Sequence, residues 1–163
     1  MLRIVSIAVL VALGCTFLSG ASLAAGAFTL AAGANGAWLQ GPDAAFPQAL
    51  EAGATASSSL SPHISLVGSG FYGFKENYER YSAGARVTAT DVADPNFNVY
   101  LGVQYRGGSK DSVRPNEWAP DAGFGWKPNK NWPRVIVGAD AGYGLQSNKV
   151  LAIVALRYVL VAK

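Results

Sequence analysis

Two groups of residues in this chain could carry chemistry. The first is a pair, His63 and Ser65. At a spacing of two they share one face of a strand, where an imidazole can serve as base to a hydroxyl nucleophile. His63 is the only histidine, and no carboxylate in the sequence is placed to orient its ring. A histidine at the rim of a sheet is the plainer reading. The second group is Glu51, Arg80, Arg86, Gln104, Arg106, Asp121, Asp140 and Arg157, each set singly into an apolar stretch. Scattered carboxylates with one histidine and one cysteine do not make a metal cage, and no metal is expected. Brought together, four arginines and three carboxylates would make a hydrogen-bonded ion-pair network or, less plainly, a cavity for a small anion. No glycine loop for phosphate and no cofactor motif accompanies them, so no cofactor is expected.

What must position these residues is a series of eight segments, each with the period of a strand. The last thirty residues show it best. Val135, Val137, Ala139, Ala141, Tyr143 and Leu145 share one parity, with Asp140 among small residues on the other. After Gln146–Lys149 the design repeats, with Ala152, Val154, Leu156, Tyr158 and Leu160 opposite Arg157. Four turn-prone residues between two such arms suit a hairpin. Earlier segments run about 27–40, 46–59, 63–74, 78–90, 97–106 and 118–127. Gly41-Pro42-Asp43, Ser61-Pro62, Lys75-Glu76-Asn77, Asp94-Pro95-Asn96 and 128–133 break the chain between them. The longest polar connection is Gly107–Asn116. The hairpins form a structural repeat with no strict sequence repeat.

One face is aliphatic or aromatic in every segment, and the other holds the eight polar residues named above. Alternation alone suits a soluble barrel with its apolar face inward as well as a membrane barrel with that face outward. The aromatic residues choose. Phe28, Phe97, Trp126, Trp132 and Tyr158 fall near one set of strand ends. Trp38, Phe46, Tyr72, Phe74, Tyr81, Tyr105, Trp118 and Tyr143 fall near the other. Ala, Val, Leu and Gly occupy the middles. Two aromatic bands around an aliphatic zone are what two lipid–water interfaces select. An even number of up-and-down strands can close on itself and leave no edge, as lipid requires.

The first two dozen of the 163 residues read as a secretory signal peptide. Arg3 precedes the apolar run Ile4–Leu18, and Ser22-Leu23-Ala24 suits cleavage after Ala24, leaving one domain over 25–163. Cys15, the only cysteine, lies in that signal, so no disulfide framework is expected. Without Arg3 the chain holds 12 basic and 10 acidic residues, too balanced and dispersed for nucleic acid.

On this alternation, strand count and aromatic banding, the chain resembles the small outer-membrane β-barrels of Gram-negative bacteria, the OmpA transmembrane domain, OmpX and opacity-protein class. The resemblance covers about 25–163. It implies an all-β, eight-stranded antiparallel up-and-down transmembrane barrel in the bacterial outer membrane, reached through the periplasm. It also implies outer-membrane lipid and the barrel-assembly machinery as partners, and a monomer. Such proteins usually finish on an aromatic residue, whereas this chain runs five residues past Tyr158. Either Tyr158 serves from further in or the assembly signal is weak. Some barrel enzymes that edit lipid A use histidine and serine on a strand. Here His63 falls at the periplasmic end, and lipid A lies in the outer leaflet.

The expected function is therefore a non-enzymatic outer-membrane barrel with a structural or surface-interaction role and an interior filled by a charged network. The Gly107–Glu117 loop is the candidate surface for a partner. The alternatives are a small-solute pore, a lipid-modifying barrel enzyme and a soluble periplasmic carrier of lipocalin type.

Overall fold

Strict alternation over nine or more residues leaves the backbone few choices. One face must be hidden and the other must meet a different solvent, and β pairing is the only backbone geometry with that period. The computed structural model describes residues 27–41, 44–45, 49–75, 77–90, 96–109, 116–129 and 131–162. The presumed signal peptide, 1–24, lies outside the described residues.

Eight long strands follow one another: β1 Phe28–Gly41, β2 Ala49–Ser59, β3 Ile64–Gly73, β4 Tyr78–Ala89, β5 Phe97–Gly108, β6 Glu117–Trp126, β7 Val135–Tyr143 and β8 Val150–Ala162. A two-residue strand, Ala44–Ala45, folds back on Gln40 and Gly41. Each long strand pairs antiparallel with the next, and β8 returns to pair antiparallel with β1. The sheet is thus a closed up-and-down barrel with no free long edge. At the β1–β8 seam Ala31 faces Val159 while Leu30 faces Val161, so Leu160 is an extra residue in a bulge.

The register fixes which side chains are neighbours. Leu101 lies between Val87 of β4 and Ala122 of β6. Val137 lies between Trp126 and Leu156. These apolar side chains look outward: Leu101 is 68 % exposed, and Val87, Val103, Val154 and Leu156 are exposed as well. The buried residues sit on the opposite parity. Among the described residues, Tyr78, Glu51, Glu117 and Asn35 are the largest wholly buried side chains.

The inner face is less uniformly polar than the sequence suggests. Phe71 of β3, with Leu151, Ile153 and Val159 of β8, are buried too, and Ala37, Leu151, Ile153 and Ala155 form an apolar cluster. The cause is local. The inner parity of β1 is small (Ala31, Gly33, Asn35 and Ala37), so the branched residues of neighbouring β8 fill the space beside it. Gly33 is needed there for another reason. It pairs with Arg157, and a Cβ at Gly33 would meet the Arg157 Cγ at 3.1 Å.

Two boundaries also differ. Gly107 and Gly108 extend β5, and Glu117 opens β6 rather than closing a loop. The partner-binding surface expected at Gly107–Glu117 therefore shrinks to the connection between these strands, of which 110–115 lie outside the described residues.

Candidate functional site

The eight polar residues named from the sequence lie in four ion-pair clusters, one of them completed by Glu117. The first hangs from β2. Arg80 of β4 reaches across to Glu51, its Nη2 donating to Oε2 at 2.7 Å and its Nε lying 3.1 Å from both carboxylate oxygens. The Tyr78 hydroxyl donates to Glu51 Oε1 at 2.6 Å. With the Asn35 amide oxygen turned to the guanidinium, it accepts from Arg80 Nη2 at 3.1 Å. Phe71 lies beneath the Arg80 guanidinium, 4.8 Å from it to the ring centroid.

The second cluster joins β4, β5 and β6. Arg86 donates to Asp121 Oδ2 through Nε at 3.0 Å and Nη2 at 2.8 Å, and Gln104 donates to the same oxygen at 2.6 Å. The Arg86 guanidinium also rests on the Tyr100 ring at 4.1 Å. The third pair is looser, with Arg157 Nη2 at 3.6 Å from Asp140 Oδ2.

Arg106 pairs with Glu117, a residue expected in the Gly107–Glu117 loop. Its Nη2 donates to Glu117 Oε1 at 3.0 Å and to the Lys149 carbonyl at 3.0 Å, and its Nη1 donates to the Gly142 carbonyl at 3.0 Å. Glu117 in turn accepts from the Gln146 and Ser147 backbone N–H groups at 3.1 and 2.9 Å and from the Ser147 hydroxyl at 2.7 Å. One buried carboxylate thus ties the β7–β8 turn to the barrel wall. Gly144 leaves room for it, because a Cβ there would overlap the carboxylate.

Glu117 makes the enclosed charges four against four among the described residues. Between them they leave a cavity of about 30 Å³, bordered by Arg80, Arg86, Arg106, Arg157, Asp121 and Asp140 among others. That is room for about two water molecules. Thr55 Oγ1, Asp121 Oδ1 and Arg157 Nε, which have no hydrogen-bond partner among the described residues, belong to residues on its wall.

His63 stands apart from all of this. It is exposed, and its Nδ1 lies 3.3 Å from the Thr88 carbonyl oxygen. Ser65 is paired with Arg86 across the β3–β4 ladder. Among the described residues no bond joins His63 to Ser65, and no group of three or more His, Cys, Asp or Glu could hold a metal.

The aromatic residues stand where the strands end. Tyr105 and Trp118 meet edge to face at 5.6 Å, Tyr72 and Phe74 at 5.7 Å, and Phe97 stacks on Phe124 at 5.3 Å. Tyr105, Trp118, Trp126, Trp132, Tyr143 and Tyr158 are exposed, while Phe28, Tyr72 and Phe97 are half-buried. The side chain of Trp38 lies outside the described residues. Two of the tyrosines share a device. Tyr72 donates to Asn77 at 3.0 Å and Tyr143 donates to Asn148 at 2.7 Å. Both asparagines have positive φ, 49° and 55°. The segments read Tyr-Gly-Phe-Lys-Glu-Asn and Tyr-Gly-Leu-Gln-Ser-Asn, a short repeat that closes two turns at the same end of the barrel.

A closed eight-stranded antiparallel barrel, apolar outside and ion-paired inside, has the build of the small outer-membrane barrels. Neisserial surface protein A agrees at the level of the fold: it superposes with a TM-score of 0.53 at 15 % identity, over 83 % of this chain and 98 % of that one. Ail, the attachment invasion locus protein of Yersinia pestis, matches with a TM-score of 0.47 at 14 % identity, over 84 % of this chain and 100 % of that one. No protein-family model matches the chain, and no curated protein matches it in sequence.

Proposed function

We propose that this chain is a non-enzymatic barrel of the bacterial outer membrane, exported by a cleaved signal peptide over 1–24. Its lumen is a structural plug, and its connections at the Tyr72–Tyr143 end face the outside for surface interaction. The observation that carries this reading is the split between faces. A continuous apolar exterior has no reason to exist in water, where an exposed apolar patch of this extent drives association. In lipid it is the required exterior, and the exposed rings at both strand ends then sit at the interfaces. The fold shared with a neisserial surface protein supports the same placement.

The plug reading rests on the charge balance. Each enclosed arginine has a carboxylate partner, and about 30 Å³ of free space admits water but not a passing solute. A surface role leaves the outer turns as working parts. Glu117 and the two Tyr–Asn clasps hold two of them in fixed positions.

The test uses cells and purified protein together. The chain is expected in the outer-membrane fraction, extractable only with detergent, and its unboiled form should migrate differently from the boiled form on a gel. In planar bilayers it should give no discrete conductance steps. Recovery in the soluble periplasmic fraction would end the membrane reading, and regular conductance steps would end the plug.

A further inference from the structure

The sequence distributes its charges unevenly between the two sets of connections. Beyond Arg3 the sequence has 12 basic and 10 acidic residues. The lumen takes four of each, in the pairs described above. In chain order, the stretches that join β1 to β2, β3 to β4, β5 to β6 and β7 to β8, with the strand starts beside them, contain Lys75, Lys110, Arg114 and Lys149 against Asp43, Glu76, Glu79 and Asp111. The stretches that join β4 to β5 and β6 to β7, with the last residue of the sequence, contain Lys127, Lys130, Arg134 and Lys163 against Asp91 and Asp94. The excess of two positive charges in the sequence therefore falls in the second set.

Its focus is the β6–β7 turn. No carboxylate occurs between Asp121 and Asp140, and within that stretch the turn carries Lys127, Lys130 and Arg134. The described part of the turn is built by backbone bonds. The Trp132 N–H donates to the Asn129 carbonyl at 2.9 Å, the Val135 N–H to the Trp132 carbonyl at 3.0 Å, and the Asn131 N–H to Asn129 Oδ1 at 2.8 Å. This leaves Trp132 62 % exposed, with Lys127 and Arg134 exposed on either side. The turn starts where the apolar outer face ends, at Phe124 and Trp126. An indole standing off the end of an apolar wall, flanked by cations, suits the plane where acyl chains give way to anionic headgroups.

We infer that the Lys127–Arg134 turn is a binding surface for anionic phospholipid, gathering acidic headgroups around the periplasmic end of the barrel. This rests on the membrane placement proposed above. The commitment to a lipid surface over a soluble polyanion comes from Trp132 and Trp126. A soluble polyanion would use the cations and leave the rings without a role.

The test keeps Trp132 as sole reporter. Trp38, Trp118 and Trp126 are changed to Phe in the full mature chain, which is folded into vesicles. Phosphatidylglycerol or phosphatidylcholine with brominated acyl chains is included at the same mole fraction in an otherwise identical bilayer. Brominated phosphatidylglycerol should quench Trp132 about twofold more strongly than brominated phosphatidylcholine. Lys127→Gln, Lys130→Gln and Arg134→Gln together should equalise the two, as should high salt. Equal quenching in the parent protein would overturn the inference while leaving the membrane placement intact. No quenching by either lipid, with Trp118 or Trp126 restored as reporter and still unquenched, would overturn the placement and the inference with it. Should the triple-Phe background not fold, the wild-type chain and the triple-Gln variant can be compared for phosphatidylglycerol retained from mixed micelles. Equal retention would refute the inference.

Discussion

Glu51→Leu is expected to lower the unfolding free energy of the barrel by about 3–5 kcal/mol. The carboxylate is wholly buried and accepts from Arg80 and from the Tyr78 hydroxyl. Its removal leaves a guanidinium enclosed without its counter-charge and strands a phenol donor. The cost comes from that orphaned charge more than from the intrinsic worth of the ion pair, because desolvation offsets most of the Coulomb attraction in an intact buried pair. A second substitution separates the two contributions. Glu51→Leu with Arg80→Met removes both charges and keeps similar volume, so most of the lost stability should return. Urea unfolding followed by tryptophan fluorescence in lipid vesicles measures both variants. A loss below about 1 kcal/mol for Glu51→Leu would place the pair in the range of solvated surface salt bridges and contradict an enclosed network.

Leu101→Arg should cost about 2–4 kcal/mol when the protein is folded in a bilayer. Leu101 lies near the middle of β5 and is the most exposed large apolar residue among those described. On a soluble barrel an arginine at an exposed strand position is nearly neutral, within about 0.5 kcal/mol. In hydrocarbon the same change buries a cation near the midplane. The substitution therefore distinguishes the two solvents by size of effect, and vesicle-folding equilibria or the fraction of heat-modifiable protein would report it.

Much of the architecture was legible in the sequence because a period of two, sustained through eight segments, has few other interpretations. The eight polar residues stand out in the sequence for the same reason, each being a polar interruption on one parity of an apolar run. Their partners do not. Glu51 and Arg80 lie 29 residues apart, and their meeting depends on the stagger of three strands around a closed barrel, which no local pattern encodes. Glu117 was hidden by its neighbours. It follows a connection rich in Gly, Ser and charge, although its parity with Ala119 and Asp121 pointed inward. Phe71 was not legible because it shares a parity with the polar Ser65 and Ser69. Leu151 and Ile153 show the complementary failure: the interior of a narrow barrel must be filled, so small residues on β1 call for large ones on β8 whatever their polarity. The Tyr-Gly-x-x-x-Asn repeat was present to be read, but only the positive φ of Asn77 and Asn148 gives it meaning.

The central claim is that the aliphatic face meets hydrocarbon while the charges are enclosed. Residues 25–163 contain no cysteine, so in that stretch a spin label can be attached at Leu101→Cys alone and the protein folded into vesicles. Collision with oxygen and with a water-soluble nickel chelate then reads the surroundings of that one site. High oxygen accessibility with the nickel chelate excluded is the predicted result. A label reached freely by the nickel chelate, or shielded from both reagents as in a packed protein core, would contradict it.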